Sequence, residues 1–228
     1  SHGALIDGEK VGTKTEASTF SSYFGHHMTT VEGGFISTND KTLYELMRAK
    51  RSHGLARECS PEVFEEYKIK YPEVDSRFLF VTDGFNVRNT EFGAVLGLSQ
   101  LTRLDSIIER RREVCDRFVS ILQKYPTEFY IPNFEGNSSF SLPFILNTQD
   151  LRIKLQNYLE ENGIETRPLC SGNLLRQPFL EDYELDFDGE PGVDYLHFNG
   201  FFIGNNHLVT DEDLDKLEEL LGEYFRIL

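Results

Sequence analysis

The 228 residues carry 23 Lys+Arg against 38 Asp+Glu, a formal net charge of −15, with 39% hydrophobic content. That is enough apolar material for one large or two small cores, and the acidity, without any basic stripe interleaved with aromatics, argues against nucleic acid and anionic membrane surfaces as partners. No apolar run approaches the roughly 20 residues of a membrane span. The first residues, SHGALIDGEKVG, lack the basic and apolar regions of a signal peptide. Cys59, Cys115 and Cys170 stand too far apart for a disulfide framework or CxxC metal spacing, which points to a reducing, cytoplasmic setting.

In chain order, residues 1–12 read as the end of one element and a turn, as in mid-domain sequence. Ala17 to Tyr23 is a strand-like run and Gly34 to Thr38 a second, with His26 and His27 in their connection. A helix follows the polar start at Asn39, with Leu43, Leu46 and Met47 at helical spacing and Gly54 closing it. Residues 58–89, with Pro61 and Pro72, are expected to be irregular, and a loop that long is usually functional or disordered. From Thr90 a long helix is expected, with Ala94, Leu98, Leu101, Leu104 and Ile108 on one face, continued by Cys115, Phe118 and Leu122. Strands are expected around 127–132 and 139–146, then a helix with Leu151, Leu155 and Leu159 before Gly163, and a further strand at 164–169. The last helix has Thr210 as N-cap with Asp213 three residues on, a capping-box variant, and buries Leu214, Leu217, Leu221 and Tyr224. This order predicts two domains, residues 1–120 with the bridging helix and a compact α+β domain over 121–228. Neither internal repeats nor low-complexity segments stand out.

Three features bear chemistry. Adjacent histidines could ligate a metal, but His26 and His27 would point to opposite faces of an extended chain, and no HExxH spacing exists; hydrogen-bonded packing is the competing reading. Glu32-Gly33-Gly34 permits close backbone approach as well as a plain turn. Asn86 and Arg88 in DGFNVRNTE precede a helix start, an arrangement suited to an anion or to ordinary capping.

The ordered segments FSSYFGHHMTTVEGGFISTND, RSHG, GFNVR with AVLGLSQLTRLD, IETRPLCSGNLLRQP and NGFFIGNNH resemble the DegT/DnrJ/EryC1/StrS family of sugar-nucleotide aminotransferases. The resemblance implies an α/β, pyridoxal-phosphate-dependent transferase fold of type I, with an incomplete large domain and a small α+β carboxy-terminal domain. Most members have a lysine at the position of His26, where it holds the cofactor covalently. Histidine there resembles the lysine-less 4-keto-6-deoxyhexose 3-dehydratases, and because three scattered cysteines cannot supply an iron–sulfur cluster, the colitose type among them. An imidazole cannot make lysine's linkage, so pyridoxal phosphate or pyridoxamine phosphate would bind noncovalently, with His26 as the proton-transferring base. By the same resemblance Ser21 would bind the cofactor phosphate and Asn86 would reach it from the neighbouring subunit of a homodimer. His53 and Arg57 would face the nucleotide-linked 4-keto-6-deoxy sugar, Arg57 pairing with its pyrophosphate or, alternatively, with a nearby glutamate. Arg167 and Asn173 lie in matched segments, Arg167 taken as substrate-binding; His27 is expected to pack structurally. Glutamate would be the amino donor and the pathway one of deoxysugar and O-antigen biosynthesis.

The family's upstream cofactor-binding half has no counterpart here, so the chain resembles a carboxy-terminal portion, expected alone to bind cofactor weakly and to expose a sheet edge. Two alternatives remain open, a family member with another activity, such as amino-sugar formation, and a non-catalytic dimerisation module.

Overall fold

The computed structural model describes residues 2–184 and 189–227, which divide into two compact units, one essentially Ile6–Leu104 and the other Asp105–Leu228 with a few amino-terminal residues. The division falls earlier than residue 120, because the helix after it contributes its apolar stripe to the carboxy-terminal core.

In the first unit, after the two-residue strands β1 (Leu5–Ile6) and β2 (Glu9–Lys10), β3 (Ala17–Ser21) and β4 (Gly34–Thr38) form an antiparallel ladder in which Ala17 pairs Thr38 and Ser21 pairs Gly34. The ladder continues past Ser21, with Ser22 N–H donating to Gly33 O at 3.0 Å and Phe24 N–H to Val31 O at 3.1 Å. Helix α1 (Lys41–Lys50) starts on Asp40, whose carboxylate accepts the Leu43 N–H at 2.9 Å. Its buried residues are Glu45 and Ala49, while Leu46 of the expected apolar face is exposed.

Residues 58–89 are more regular than expected. They hold α2 (Pro61–Lys70) and a short 3-10 turn, Ser76–Phe78. Pro61 is the first helical residue, where its missing N–H costs nothing; it starts an element where a proline reads as a break. The buried Glu45 carboxylate accepts the Ser60 N–H at 2.8 Å; burial alone would raise its pKa, but the Ser60 hydrogen bonds together with the Arg48 and Lys41 charges bring it below the usual range.

The long helix is two. Helix α3 (Glu91–Leu101) ends at Thr102, whose hydroxyl donates to Ser99 O at 2.8 Å, and α4 (Leu104–Leu122) begins two residues later. Neither glycine nor proline marks this break. On α3 the expected face is not the buried one: Gly93 and Gly97 are buried, whereas Leu98 and Leu101 are exposed and Phe92 is 83% exposed.

The second unit is built on α4, whose Ile107, Ile108, Val114, Cys115, Phe118, Ile121 and Leu122 form a buried stripe. A three-stranded antiparallel sheet has the order β5 (Ser141–Ile145), β7 (Gly200–Gly204), β6 (Thr166–Pro168). The strand expected at 127–132 reduces to a bridge between Phe129 and Leu146. Alternating Leu142 and Phe144 enter the core, where Phe144 stacks on Phe201 at 4.8 Å and meets Phe118 edge-on at 5.0 Å. Helices α5 (Gln149–Glu161) and α7 (Asp211–Ile227) add Leu155, Leu159, Leu214, Leu217 and Leu221. The capping box at α7 closes reciprocally, Thr210 N–H on the Asp213 carboxylate at 2.9 Å and Asp213 N–H on Thr210 Oγ1 at 3.2 Å. Helix α6 (Pro191–Asn199) and β7 were not expected from periodicity.

Candidate active site

His26 lies in the connection that follows β3. Its N–H donates to Tyr23 O at 3.0 Å and its half-buried ring stands edge-on to the Tyr23 ring at 6.4 Å. His27 is buried, its ring 5.9 Å from that of His2, in the packing position expected of it. The two histidines therefore differ in burial, His26 half-exposed and His27 enclosed. No group of three or more metal-ligating side chains occurs among the described residues.

The loop is braced from inside. Ser22, fully buried, shares a 2.6 Å hydrogen bond with Thr30, whose N–H also donates to Ser22 O at 2.8 Å. A Cβ on Gly33, where φ is 145°, would lie 2.7 Å from Thr30 Oγ1, and one on Gly97 would lie 3.2 Å from Thr30 Cγ2. Both readings of the glycine pair are thus met: the loop turns there, and its backbone sits close to neighbours. Ser22 and Thr30 gave no signal in the sequence beyond their place in a Ser/Thr-rich run.

Ser21 ends β3, exposed, and its Oγ accepts the Tyr23 N–H at 3.2 Å, which leaves the hydroxyl proton able to point at an anion. Asn86, His53 and Arg57 belong to a second grouping. Segment 79–87 zips onto 50–56: His53 N–H donates to Phe85 O at 2.7 Å, Val87 N–H to Arg51 O at 3.0 Å and Val81 N–H to Gly54 O at 2.9 Å, with Ser52 and Asn86 bridged. His53 takes a positive φ of 61°, a strained setting for a side-chain-bearing residue. Arg57 donates to Arg77 O at 3.1 Å and lies 4.0 Å from the Glu58 carboxylate, which Arg88 also approaches at 4.0 Å. Asn86, His53 and Arg57 are exposed.

The capping alternative for the α3 start is realised, Thr90 Oγ1 accepting the Gly93 N–H at 3.3 Å. A recess of about 480 Å³ lies beside it, lined by Thr30, Gly33, Arg88, Asn89 and Gly93. In the second unit Arg167 is exposed on β6 and bound to Glu165 at 2.5 Å, while Asn173 is buried and donates to Asp194 at 2.7 Å.

Over the part that it spans, the chain has the fold of the pyridoxal-phosphate-dependent sugar aminotransferases of fold type I. It belongs to the DegT/DnrJ/EryC1/StrS aminotransferase family, whose sequence profile matches residues 1–219. It is 33% identical over 226 residues to a GDP-4-keto-6-deoxy-D-mannose 3-dehydratase of Yersinia pseudotuberculosis, covering 97% of this chain and 57% of that protein. The enzyme of the same name from Escherichia coli O55:H7 is 32% identical over 228 residues, with 97% and 58% covered. A solved structure of the E. coli enzyme with bound hydrated PLP superposes with a TM-score of 0.84 at 30% identity, covering 96% of this chain and 57% of that one. The chain thus spans a little over half the length of these relatives.

Proposed function

We propose that this chain carries the catalytic base and part of the cofactor and substrate contacts of a B6-dependent NDP-4-keto-6-deoxyhexose 3-dehydratase in deoxysugar biosynthesis. The observation that carries the reading is His26 in place of lysine, in a chain about one-third identical to two GDP-sugar 3-dehydratases. The donor chemistry fits a noncovalent phosphate-bearing cofactor, since Ser21 and Asn86 are exposed hydroxyl and amide groups and residues 21–38 contain no lysine. Pyridoxamine phosphate would supply the amine that condenses with the sugar's C4 ketone and the ring that accepts electrons.

Ser21 and Asn86 would hold its phosphate, Asn86 from the second subunit of a homodimer. His26 would take the proton from the cofactor's C4′ carbon and deliver it where the 3-hydroxyl departs as water; an imidazole with an ordinary pKa of about 6.5 can do both near neutral pH. His26 is half-buried, with its ring edge-on to that of Tyr23. His53 and the Arg57 guanidinium would contact the sugar nucleotide, Arg57 at the diphosphate, and Arg167 would contact the same substrate. Glutamate would restore the amine form. The apolar side chains left exposed on α3 support a homodimer or further polypeptide covering them. No helix among the described residues is long and apolar enough to cross a membrane, and the composition suits the cytoplasm.

Replacement of His26 by asparagine tests the assignment. The reading predicts retained cofactor binding with dehydration lowered by at least the roughly 100-fold that a general base contributes; near-normal dehydration would overturn it. A second reading is an aminotransferase, favoured by 30% identity over 223 residues to a GDP-perosamine synthase of E. coli O157:H7. Formation of an amino sugar from glutamate would select it.

A further inference from the structure

The segment from Leu169 to Gln177 holds an unfavourable shape and is fastened by polar contacts from one helix. Cys170, Ser171 and Gly172 take successive positive φ values of 42°, 70° and 75°. Two of them bear side chains, which collide with their own backbone in that region. Such a conformation persists where its surroundings over-determine it, and it concentrates at ligand-binding segments.

Those surroundings are α6, on which Asp194 and His197, three residues apart, share a face. The Asn173 backbone N–H donates to Nδ1 of His197 at 3.1 Å, and the Asn173 side-chain amide donates to the Asp194 carboxylate at 2.7 Å. Arg176 grips the same carboxylate through two nitrogens, at 2.8 and 2.7 Å. The Asn173 side-chain oxygen Oδ1 in turn accepts the Leu175 N–H at 3.0 Å. A Cβ at Gly172 would lie 2.1 Å from His197 Nδ1, so glycine is what admits the imidazole. Asn173 is buried in this network, whereas Arg167, Cys170 and Ser171 face outward, exposed.

We propose that Asn173, Asp194 and His197 are positioning residues that set the turn from Arg167 to Gly172 for contact with the nucleotide-sugar substrate, with His197 required as the tautomer whose Nδ1 is unprotonated. The inference rests on the dehydratase reading and on Arg167 facing substrate. Because a backbone N–H already points at Nδ1, a proton there sets donor against donor and the contact is lost. Among the described residues the charged groups that this network places around His197 are Asp194 on α6 and Arg176 from the turn itself. The Asp194 carboxylate is occupied by Arg176 and Asn173 and gives the Asn173 N–H no replacement acceptor. The clamp is therefore closed while Nδ1 is unprotonated and loosens when the imidazole takes up a proton there.

Cys170 reports on the turn directly, since Cys59 and Cys115 are buried. The experiment measures its modification rate by a disulfide reagent from pH 8 to pH 6, corrected for thiolate with a peptide of the same sequence. The protein is used as its gene encodes it, with and without GDP-4-keto-6-deoxymannose. His197→Leu removes the acceptor and is expected to speed Cys170 modification about tenfold, the equivalent of one lost hydrogen bond, and to raise KM with kcat retained. His197→Asn keeps an acceptor at the Nδ1 position and is expected to stay close to the wild-type rate while losing its pH dependence, with circular dichroism and silent Cys59 and Cys115 reporting the fold in both. Equal Cys170 rates in the wild type and both variants overturn the clamp. A faster rate with unchanged KM also overturns the positioning role, leaving a structural contact. Substrate turnover without protection of wild-type Cys170 overturns ligand contact by the turn. Absence of any turnover by the wild type sinks the dehydratase reading itself, and the modification rates without ligand still decide the clamp.

Discussion

Gly54 is where the His53–Asn86 grouping is most exposed to a single-atom change. Its φ of 82° lies in the left-handed region, and a Cβ there would stand 1.8 Å from the Thr82 carbonyl oxygen. An ordinary carbon–oxygen contact is about 3.3 Å or more, so in Gly54→Ala one backbone must retreat by roughly 1.5 Å from the other. Gly8 supplies the control, in the same unit, with φ of 78° and nothing within 4 Å of its added Cβ. Gly8→Ala carries only the left-handed penalty of about 1 kcal/mol. Gly54→Ala adds the loss of two neighbouring bonds, such as Val81 N–H to Gly54 O and His53 N–H to Phe85 O, each about 1 kcal/mol net. The expected total is about 3 kcal/mol. Urea unfolding followed by far-ultraviolet circular dichroism measures both variants, and amide exchange at Val81 and His53 localises the effect. Equal costs for the two substitutions, or unchanged protection at Val81, would refute the close approach as the reason for glycine at 54.

Other substitutions have defined outcomes. Arg111, 2% exposed, donates to Phe140 O at 3.4 Å and to Asn205 O, and burial pushes its pKa down to about 10; Arg111→Ala strips one buried and one partly buried carbonyl of their donor and should cost about 2–3 kcal/mol by thermal or urea unfolding, more than the similarly sized Arg111→Met. Thr210→Ala should cost about 1 kcal/mol through the α7 cap. The Thr210 backbone N–H, then its hydroxyl, hold the Asp213 carboxyl below its ordinary range. A depressed acid contributes stability above its unfolded pKa of about 3.9 and loses it as pH falls through the lower folded value, so Asp213→Asn should flatten the acid limb of stability below about pH 4; an unchanged limb would contradict the cap. Phe144→Ala, between Phe118 and Phe201, should cost about 3–5 kcal/mol, and a loss below 1 kcal/mol would mean that the stack is not part of the core's stability.

The elements legible in the sequence were those with a strong local signal. The β3–β4 ladder announced itself by β-branched and aromatic runs, α5 by Leu155 and Leu159, and α7 by Thr210 and Asp213. Helix α2 was hidden because Pro61 reads as a breaker unless it is known to be the first helical residue. The α3–α4 break was hidden because Thr102 and Arg103 carry no punctuation, and α3 misled because it is apolar on every side, so periodicity could not pick out the glycine face. Single residues of the site came from the order of motifs rather than from physics. What no pattern could reach were the long-range pairings, Ser22 with Thr30 and Asn173 with Asp194 and His197, because each rests on a contact made only when the chain is folded.

The most direct test of the account concerns position 26. Wild type and His26→Lys, each in the protein as its gene encodes it, would be incubated with pyridoxal phosphate, reduced with borohydride and weighed by mass spectrometry, alongside an assay of dehydration. The account predicts cofactor bound without covalent mass in the wild type, and a stable covalent adduct with dehydration abolished in His26→Lys. A covalent adduct on the wild type, or undiminished dehydration by His26→Lys, would contradict it.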